Sequence, residues 1–471
     1  MFNDDDFLNS FDPDLLLAVG RFEEMVKNQG HYFFESDELE EIFEYYYHQG
    51  HIEQAAQVVE FGILQNPYSA MFYVKRAQIS MAHGKFEEAL GHLNQAEIFE
   101  PTNYELYLIR GSIYDLTGNP KEAVKHLKTA EGYAEDQVEV VYNALAGVFI
   151  NWKKYNSAIY YLQLVLNLIP DHTEALYDIC FCYHQLEDID AGVVFFKDYI
   201  EKEPFSDVAW YNLATLYNKS ELFEKALEAF DYALLINDKN SLAWFNKANT
   251  YINMEQYVEA LDCMYRAHDA EPENPVLRCG VGVCHEKMGR IPEARSWYTK
   301  ALETDPILSD AWYGLGICDE LEARYDDSVM HIRKALEFMP DSEEYWCSLG
   351  EVYAKMGESE AAIEAYQHAL DIDEGYYEAR IDMAISELAL GNAQKAFSLI
   401  DKGIALHKGE SDFHYRLAAF HYRFNLIQEA LVHFQQGLTL DFEENATFFE
   451  IVPDALADVR FVALINNRDI R

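Results

Sequence analysis

The sequence predicts an all-α solenoid, a stack of about twelve helical hairpins with short helical caps at both ends. Three observations predict it. The chain repeats itself at a 34-residue interval, apolar residues within each copy recur at helical spacing, and small residues hold one phase of the period.

The interval is plainest in AWYNLATLY (209–217) and AWFNKANTY (243–251), which begin 34 residues apart. Trp210, Trp244, Trp312 and Trp346 occupy one phase of that period, and Ala146, Ala214, Ala248, Gly282, Gly316, Gly350, Ala384 and Ala418 another. Downstream of each such segment lies a second one of the type FEKALEAFDYALLIND (223–238). Its relatives start at 86, 155, 257, 291, 325 and 359, and five of those six end in Pro. Units therefore begin at 36, 70, 104, 139, 173, 207, 241, 275, 309, 343, 377 and 411, with one extra residue in GYAEDQVEV (132–140).

Each element follows from elementary chemistry. Trp210, Leu213, Ala214 and Tyr217 share one helical face. The stretch NKSELF (218–223) turns the chain into a second helix. Small residues let the two helices approach, large aromatics fill the space between copies, and the terminal Pro stops one helix before the next begins. One hairpin cannot bury its apolar face alone, whereas a stack buries a continuous core. Before the array, Pro13–Asn28 reads as a capping helix with Leu15, Val19, Phe22 and Val26 on one side, within an N-terminal tail and cap spanning 1–35. Asp37 and Glu40 stand at capping-box spacing for the first repeat helix. After the array (36–444), residues 445–471 predict one or two short capping helices.

These residues resemble the tetratricopeptide repeat family, in the form of a bacterial-type protein built wholly of repeats. The resemblance covers roughly residues 36–444. It departs from the family pattern at Gly192 and Ser328, where Ala is usual, and in units without a terminal Pro. It implies a right-handed α-α superhelix whose first helices line a concave groove.

Composition narrows the function. The 36 Lys and Arg against 82 Asp and Glu give a net charge of −46, which opposes phosphate backbones and anionic membranes and favours basic or neutral protein partners. Neither nucleic acid nor membrane is expected as a partner. The opening MFNDDDFLNSFDPDLL lacks the basic and apolar regions of a targeting peptide. No apolar run has the length of a membrane span, and seven cysteines without a secretion signal point to reduced thiols in the cytoplasm.

No catalytic, metal or cofactor motif stands out. CGVGVCHEKMG (279–289) is a glycine pair at repeat packing positions rather than a phosphate loop. Cys180 and Cys182 have no matching pair for zinc, and Cys182, Cys284 and Cys318 share a phase held elsewhere by Ile79, Ile113, Val148 and Leu216. His83, His92 and His126 read as surface or turn residues. Paired acids such as Glu87–Glu88 start second helices, where they suit the helix dipole. The expectation is a protein that is not an enzyme and holds no cofactor.

The resemblance places the residue after the Trp phase at the groove: Tyr177, Tyr211, Phe245, Cys279, Tyr313, Cys347, Ile381 and Tyr415. Such rings either grip an extended peptide or pack between neighbouring helices. Asn212 and Asn246 come one step further, with Asn218 and Asn249 along the same helices. Their amides either hydrogen-bond a peptide backbone or are simply solvated. A similar asparagine ladder is used by the O-linked N-acetylglucosamine transferase family. The Lys and Arg phases of repeats that clamp the acidic tails of chaperones carry Val74, Gln78, Asn143, Gly147, Tyr211 and Thr215 here, which disfavours that use. The sequence thus predicts a scaffold or adaptor with peptide-binding residues Tyr177, Tyr211, Asn212, Asn218, Phe245, Asn246, Asn249 and Tyr313. The alternative is a self-associating regulatory or structural subunit acting as a homo-oligomer.

Overall fold

The computed structural model describes residues 13–28 and 32–466. Residues 1–12, 29–31 and 467–471 lie outside the described residues, and with them most of the expected N-terminal tail and the last residues of the C-terminal cap. Every regular element described is helical: 27 α-helices and three 3₁₀ segments. The chain divides into two compact units, residues 1–236 and 237–471.

The first unit opens with α1 (Pro13–Asn28). Six hairpins follow: α2/α3 (Ser36–His48, Ile52–Gln65), α4/α5 (Ala70–Ala82, Phe86–Phe99), α6/α7 (Tyr104–Leu116, Pro120–Glu131), α8/α9 (Val138–Asn151, Tyr155–Leu168), α10/α11 (Thr173–Gln185, Ile189–Lys202) and α12/α13 (Asp207–Lys219, Phe223–Ile236). The second unit has six more: α14/α15 (Ser241–Asn253, Tyr257–Ala270), α16/α17 (Pro275–Lys287, Ile291–Thr304), α18/α19 (Ser309–Leu321, Tyr325–Phe338), α20/α21 (Glu343–Met356, Ser359–Ile372), α22/α23 (Tyr377–Ala389, Ala393–Leu406) and α24/α25 (Ser411–Arg423, Ile427–Leu440). Two short helices, α26 (Ala446–Ile451) and α27 (Val459–Asn466), close it. Within each unit consecutive helices pack on one another, so each hairpin buries its neighbour's apolar face.

The repeated residue types have physical reasons. A Cβ on Gly282 would stand 2.7 Å from a ring carbon of Tyr298, and one on Gly350 would stand 2.5 Å from Tyr366. Only a residue without a side chain lets those second helices approach so closely. The Trp phase closes the preceding turn: the indole Nε1–H of Trp210, Trp312 and Trp346 donates to the carbonyls of Pro204, Pro306 and Pro340 at 2.9–3.0 Å. Proline at that point stops the helix and the indole satisfies its carbonyl.

Three details differ from the sequence expectation. In α1 the buried seam is Ala18, Val19, Phe22 and Met25, while Val26 is exposed. Helix α2 starts at Ser36 with Glu35 at the N-cap and no side-chain capping bond, so Asp37 and Glu40 lie inside the helix and not at capping-box positions, and Glu40 pairs with Lys75. The extra residue near 135 is taken up by a 3₁₀ turn, Glu135–Gln137, and α8 begins at Val138.

Candidate partner-binding face

The fifth and sixth residues of the first helices form a recurring row, and their surroundings differ from hairpin to hairpin. In the first unit, Tyr177 of α10 and Tyr211 of α12 meet edge to face with ring centroids 5.7 Å apart. Burial raises the Tyr177 phenol to about 12, with Tyr211 and Asp207 adding to the shift. Tyr211 is itself buried and leans on Phe230. Asn212 is 2 % exposed, and its Nδ2 has no hydrogen-bond acceptor among the described residues. Asn218 is half-buried, and its Oδ1 likewise lacks a donor.

Three hairpins near the start of this unit show what the first helices do with acids. Lys75, the sixth residue of α4, is 4 % exposed and reaches Glu44 of α2 at 2.6 Å, Glu40 at 3.1 Å and Glu105 of α6 at 3.5 Å. Burial pulls its ammonium down, but Glu105, Glu44 and Glu40 outweigh that and hold it above the usual lysine range. One internal cation on α4 thus ties together acids from the first helices on either side of it, α2 and α6.

In the second unit, first helices of four consecutive hairpins line a cleft of about 300 Å³. Phe245 and Asn249 come from α14, Cys279 and Val283 from α16, Tyr313 from α18 and Tyr345 from α20. Three sequence-predicted residues, Phe245, Asn249 and Tyr313, therefore share one cavity. Asn246 is half-buried on the same helix and does not line it. Tyr313 stacks on Tyr345 with centroids 4.5 Å apart, and its hydroxyl sits 2.9 Å from Ser348 Oγ and donates to Glu344 at 3.3 Å.

Acids that sequence reasoning passed over stand on the same face. Glu286, 11 % exposed at its side chain, accepts from the Tyr298 hydroxyl at 2.7 Å and has Lys287 Nζ at 3.7 Å. Burial holds its carboxyl above the ordinary value, and those two contacts only partly offset it. Further along, the polar atoms of Cys347, Glu351 and Asp382 lie within 4.8 Å of one another. Burial raises both carboxyls; Asp382 adds to the rise at Glu351, and Glu378 and Asp412 add to it at Asp382. Burial also pushes the Cys347 thiol far up, which keeps it protonated. One protonated thiol and two carboxylates fall short of a four-ligand metal site but suit a hydrogen-bonding cation. The signal that would have found these residues is charge read phase by phase: Asp382 stands sixth, Glu351 ninth and Glu286 twelfth in its helix.

The remaining polar candidates are structural. All seven cysteines are free and buried. His92 and His126 sit on helices rather than in turns; His126 stacks on Tyr114 at 5.3 Å. No helix among the described residues is long and apolar enough to cross a membrane.

Comparison with known proteins fits this geometry. Models of the tetratricopeptide repeat match residues 104–137, 208–240, 229–262 and 343–376. The first, second and last of these coincide with the hairpins α6/α7, α12/α13 and α20/α21. The chain carries tetratricopeptide repeats. It is 29 % identical over 156 residues to the TPR repeat-containing protein YpiA of Bacillus subtilis strain 168, covering 32 % of this chain and 36 % of that protein. It is 22 % identical over 191 residues to the BBSome complex member BBS4 of Bos taurus, covering 41 % and 37 %. The matched stretch thus spans little more than a third of each curated relative. Among solved structures, this repeat protein is similar to yeast Tom70, with a TM-score of 0.47, 14 % identity, and 90 % and 96 % of the two chains covered. It is also similar to the APC/C hetero-tetramer Cut9–Hcn1, with a TM-score of 0.45, 13 % identity, and 84 % and 96 % covered.

Proposed function

We propose that this repeat protein is a non-catalytic scaffold or adaptor, and that the inner face of its first helices binds an extended segment of a partner protein. The observation that carries the reading is the second-unit cleft, where Phe245 and Asn249 of one hairpin and Tyr313 of another line one cavity. Rings that are half-buried and face a cleft can bury more apolar area on binding at small entropic cost. In the first unit the Tyr177–Tyr211 pair, with Asn212 and Asn218 beside it, is the corresponding feature, and Asn246 flanks the cleft residues on α14. The reading takes residues 36–444 as twelve binding tiles between an N-terminal and a C-terminal cap. Free buried thiols suit a reducing compartment, and the reading places the protein in the cytoplasm.

The test is selection from a random peptide display library on the full chain. Peptides selected on the wild type should lose binding to a Phe245→Ala/Tyr313→Ala variant that circular dichroism shows to be equally helical. A Tyr177→Ala/Tyr211→Ala variant examines the first unit in the same way. Peptides that bind wild type and both variants equally would overturn the inner-face reading.

A further inference from the structure

We propose that the inner face of α16, α18, α20 and α22 holds a basic extended segment, whose Lys or Arg side chains sit against Glu344 and the Glu351–Asp382 pair while an apolar side chain enters the cleft beside Phe245 and Tyr313. The proposal rests on the inner-face reading above and names the chemistry of its occupant.

The argument starts from where the local cations go. Arg278 of α16 pairs with Glu273 at 3.1 Å and donates to the carbonyl of Pro272. Arg380 of α22 is buried and donates to the carbonyl of Glu374. Lys355 of α20 pairs with Glu320, and Arg416 of α24 with Asp412 at 2.6 Å. Among the described residues, neither Glu351 nor Asp382 has a Lys or Arg within ion-pair distance. Two half-buried carboxylates stand side by side with one weak thiol contact, Cys347 Sγ to Glu351 at 3.9 Å, and no cation partner among the described residues, and holding such charges partly out of water is costly. An incoming ammonium or guanidinium would relieve both at once.

The chain itself shows the completed version. Lys75 is the sixth residue of α4 and gathers Glu40, Glu44 and Glu105. The sixth residues of α16, α18, α20 and α22 are Gly280, Gly314, Ser348 and Asp382. The position that supplies the cation in the first unit is therefore vacated, shortened or reversed in sign through four hairpins of the second. A net charge of −46 adds long-range attraction for the same class of partner.

The experiment screens the random peptide library on the full chain and then measures the selected peptides by fluorescence polarisation on two triple variants. One neutralises the face: Glu344→Gln, Glu351→Gln and Asp382→Asn. The other makes the same charge change on exposed second-helix positions: Glu303→Gln, Asp326→Asn and Glu364→Gln. The expected result is a selected pool rich in Lys and Arg that weakens about tenfold on the first variant, close to one lost charged hydrogen bond, and keeps its affinity on the second. Equal weakening on both would overturn the proposal in favour of bulk charge. No weakening on the first would also overturn it. A pool without Lys or Arg that is still lost on Phe245→Ala/Tyr313→Ala would overturn the basic occupant and leave the inner-face reading intact. An empty pool, or one indifferent to every variant, would overturn both.

Discussion

Lys75 and Asp382 occupy the same place in their respective first helices, the sixth residue, and they have opposite charge. Around Lys75, three carboxylates from two helices, α2 and α6, close on one ammonium at 2.6–3.5 Å. Around Asp382, a second carboxylate and a thiol close on nothing. The repeat supplies the same backbone at both places, so the difference lies in side chains alone. In the first region acids hold neighbouring hairpins together; in the second they repel one another and weaken the fold they belong to. A solenoid tolerates the second arrangement because each hairpin answers only to its neighbours, so a locally costly face need not unfold the rest. Unsatisfied charge on an otherwise well-packed scaffold is the pattern expected of a surface completed by something else.

The largest effect should come from removing the internal cation. Lys75→Ala leaves Glu40, Glu44 and Glu105 without their shared partner and should cost about 3 kcal/mol, the lower end for breaking a buried pair because the acids are partly exposed. Hydrogen exchange should speed up in α2, α4 and α6 and remain at wild-type rates in α18 to α22. Uniform protection in the variant would mean that Lys75 is not the clamp its distances suggest.

The sixth position is cleared in another way at Gly314. A Cβ there would lie 2.3 Å from a ring carbon of Tyr298, and Tyr298 in turn holds Glu286. Gly314→Ala should therefore destabilise by about 2 kcal/mol through overpacking. It should also shift the cleft wall, so peptide affinity should fall with stability. Gly280→Ala meets only the flexible Met264 side chain and should cost less than half as much. Equal costs at the two sites would show that Tyr298 yields more easily than an aromatic ring wedged between two hairpins should.

How much of this could be read from the sequence depends on which contacts decide it. Hairpin boundaries could be read: the period places first helices at 36, 70, 104 and onwards, and helices begin at Ser36, Ala70 and Tyr104. Apolar periodicity over twelve copies is a strong local signal. The turn within each hairpin could be placed, as at NKSELF (218–223), but its backbone conformation was hidden. Its left-handed residue recurs at the same phase twelve times, yet only six are glycines; Lys153, Glu187, Glu221, Glu255, Ala323 and Asn425 fill the rest. A phase defined by backbone conformation leaves little trace when residues with side chains take up half of it. The line of aromatics was visible, but not how deeply each ring is buried. Tyr211 and Asn212 are buried while Phe245 and Asn246 are half-buried, because packing by the neighbouring hairpin decides exposure, and the two copies read almost alike. The acids were overlooked for a statistical reason. In a chain with 82 of them a single carboxylate says little until its distance to the nearest cation is known.

A smaller effect of the opposite sign is expected at Asp382. Asp382→Asn removes a half-buried charge and keeps the shape, so it should stabilise α20 and α22 by about 1 kcal/mol. Thermal unfolding at neutral pH measures this, with hydrogen exchange locating it. If the same variant also weakens the selected peptides, stability and binding move in opposite directions at one residue. Destabilisation by Asp382→Asn would indicate that the carboxylate is already satisfied and that its contrast with Lys75 is false.

The smallest effect is the pH dependence of that gain, and its sign separates Asp382 from another aspartate of the same unit. Asp319 is 1 % exposed and receives Arg295 at 2.8 Å, Arg324 at 2.6 Å and His331 at 2.6 Å. Burial raises its carboxyl, but Arg324, His331 and Arg295 more than reverse that, so it stays below the ordinary aspartate value. Stability from Asp319 is present above the unfolded value and is lost only as pH falls through that depressed folded value. Asp382 behaves oppositely. Burial first, then Glu378 and Asp412, hold its carboxyl above the ordinary value, with Arg416 working against them. The folded state therefore takes up this proton before the unfolded state does. As pH falls through the raised folded value the penalty disappears, and below the unfolded value nothing further changes. The stabilisation by Asp382→Asn should thus shrink as pH is lowered from neutral towards 4, while the Asp319 cluster is still intact. A gain that stays constant over that range would mean that Asp382 titrates like a solvated carboxylate, and that what distinguishes the second face from the first is the missing lysine alone, not burial of its acids.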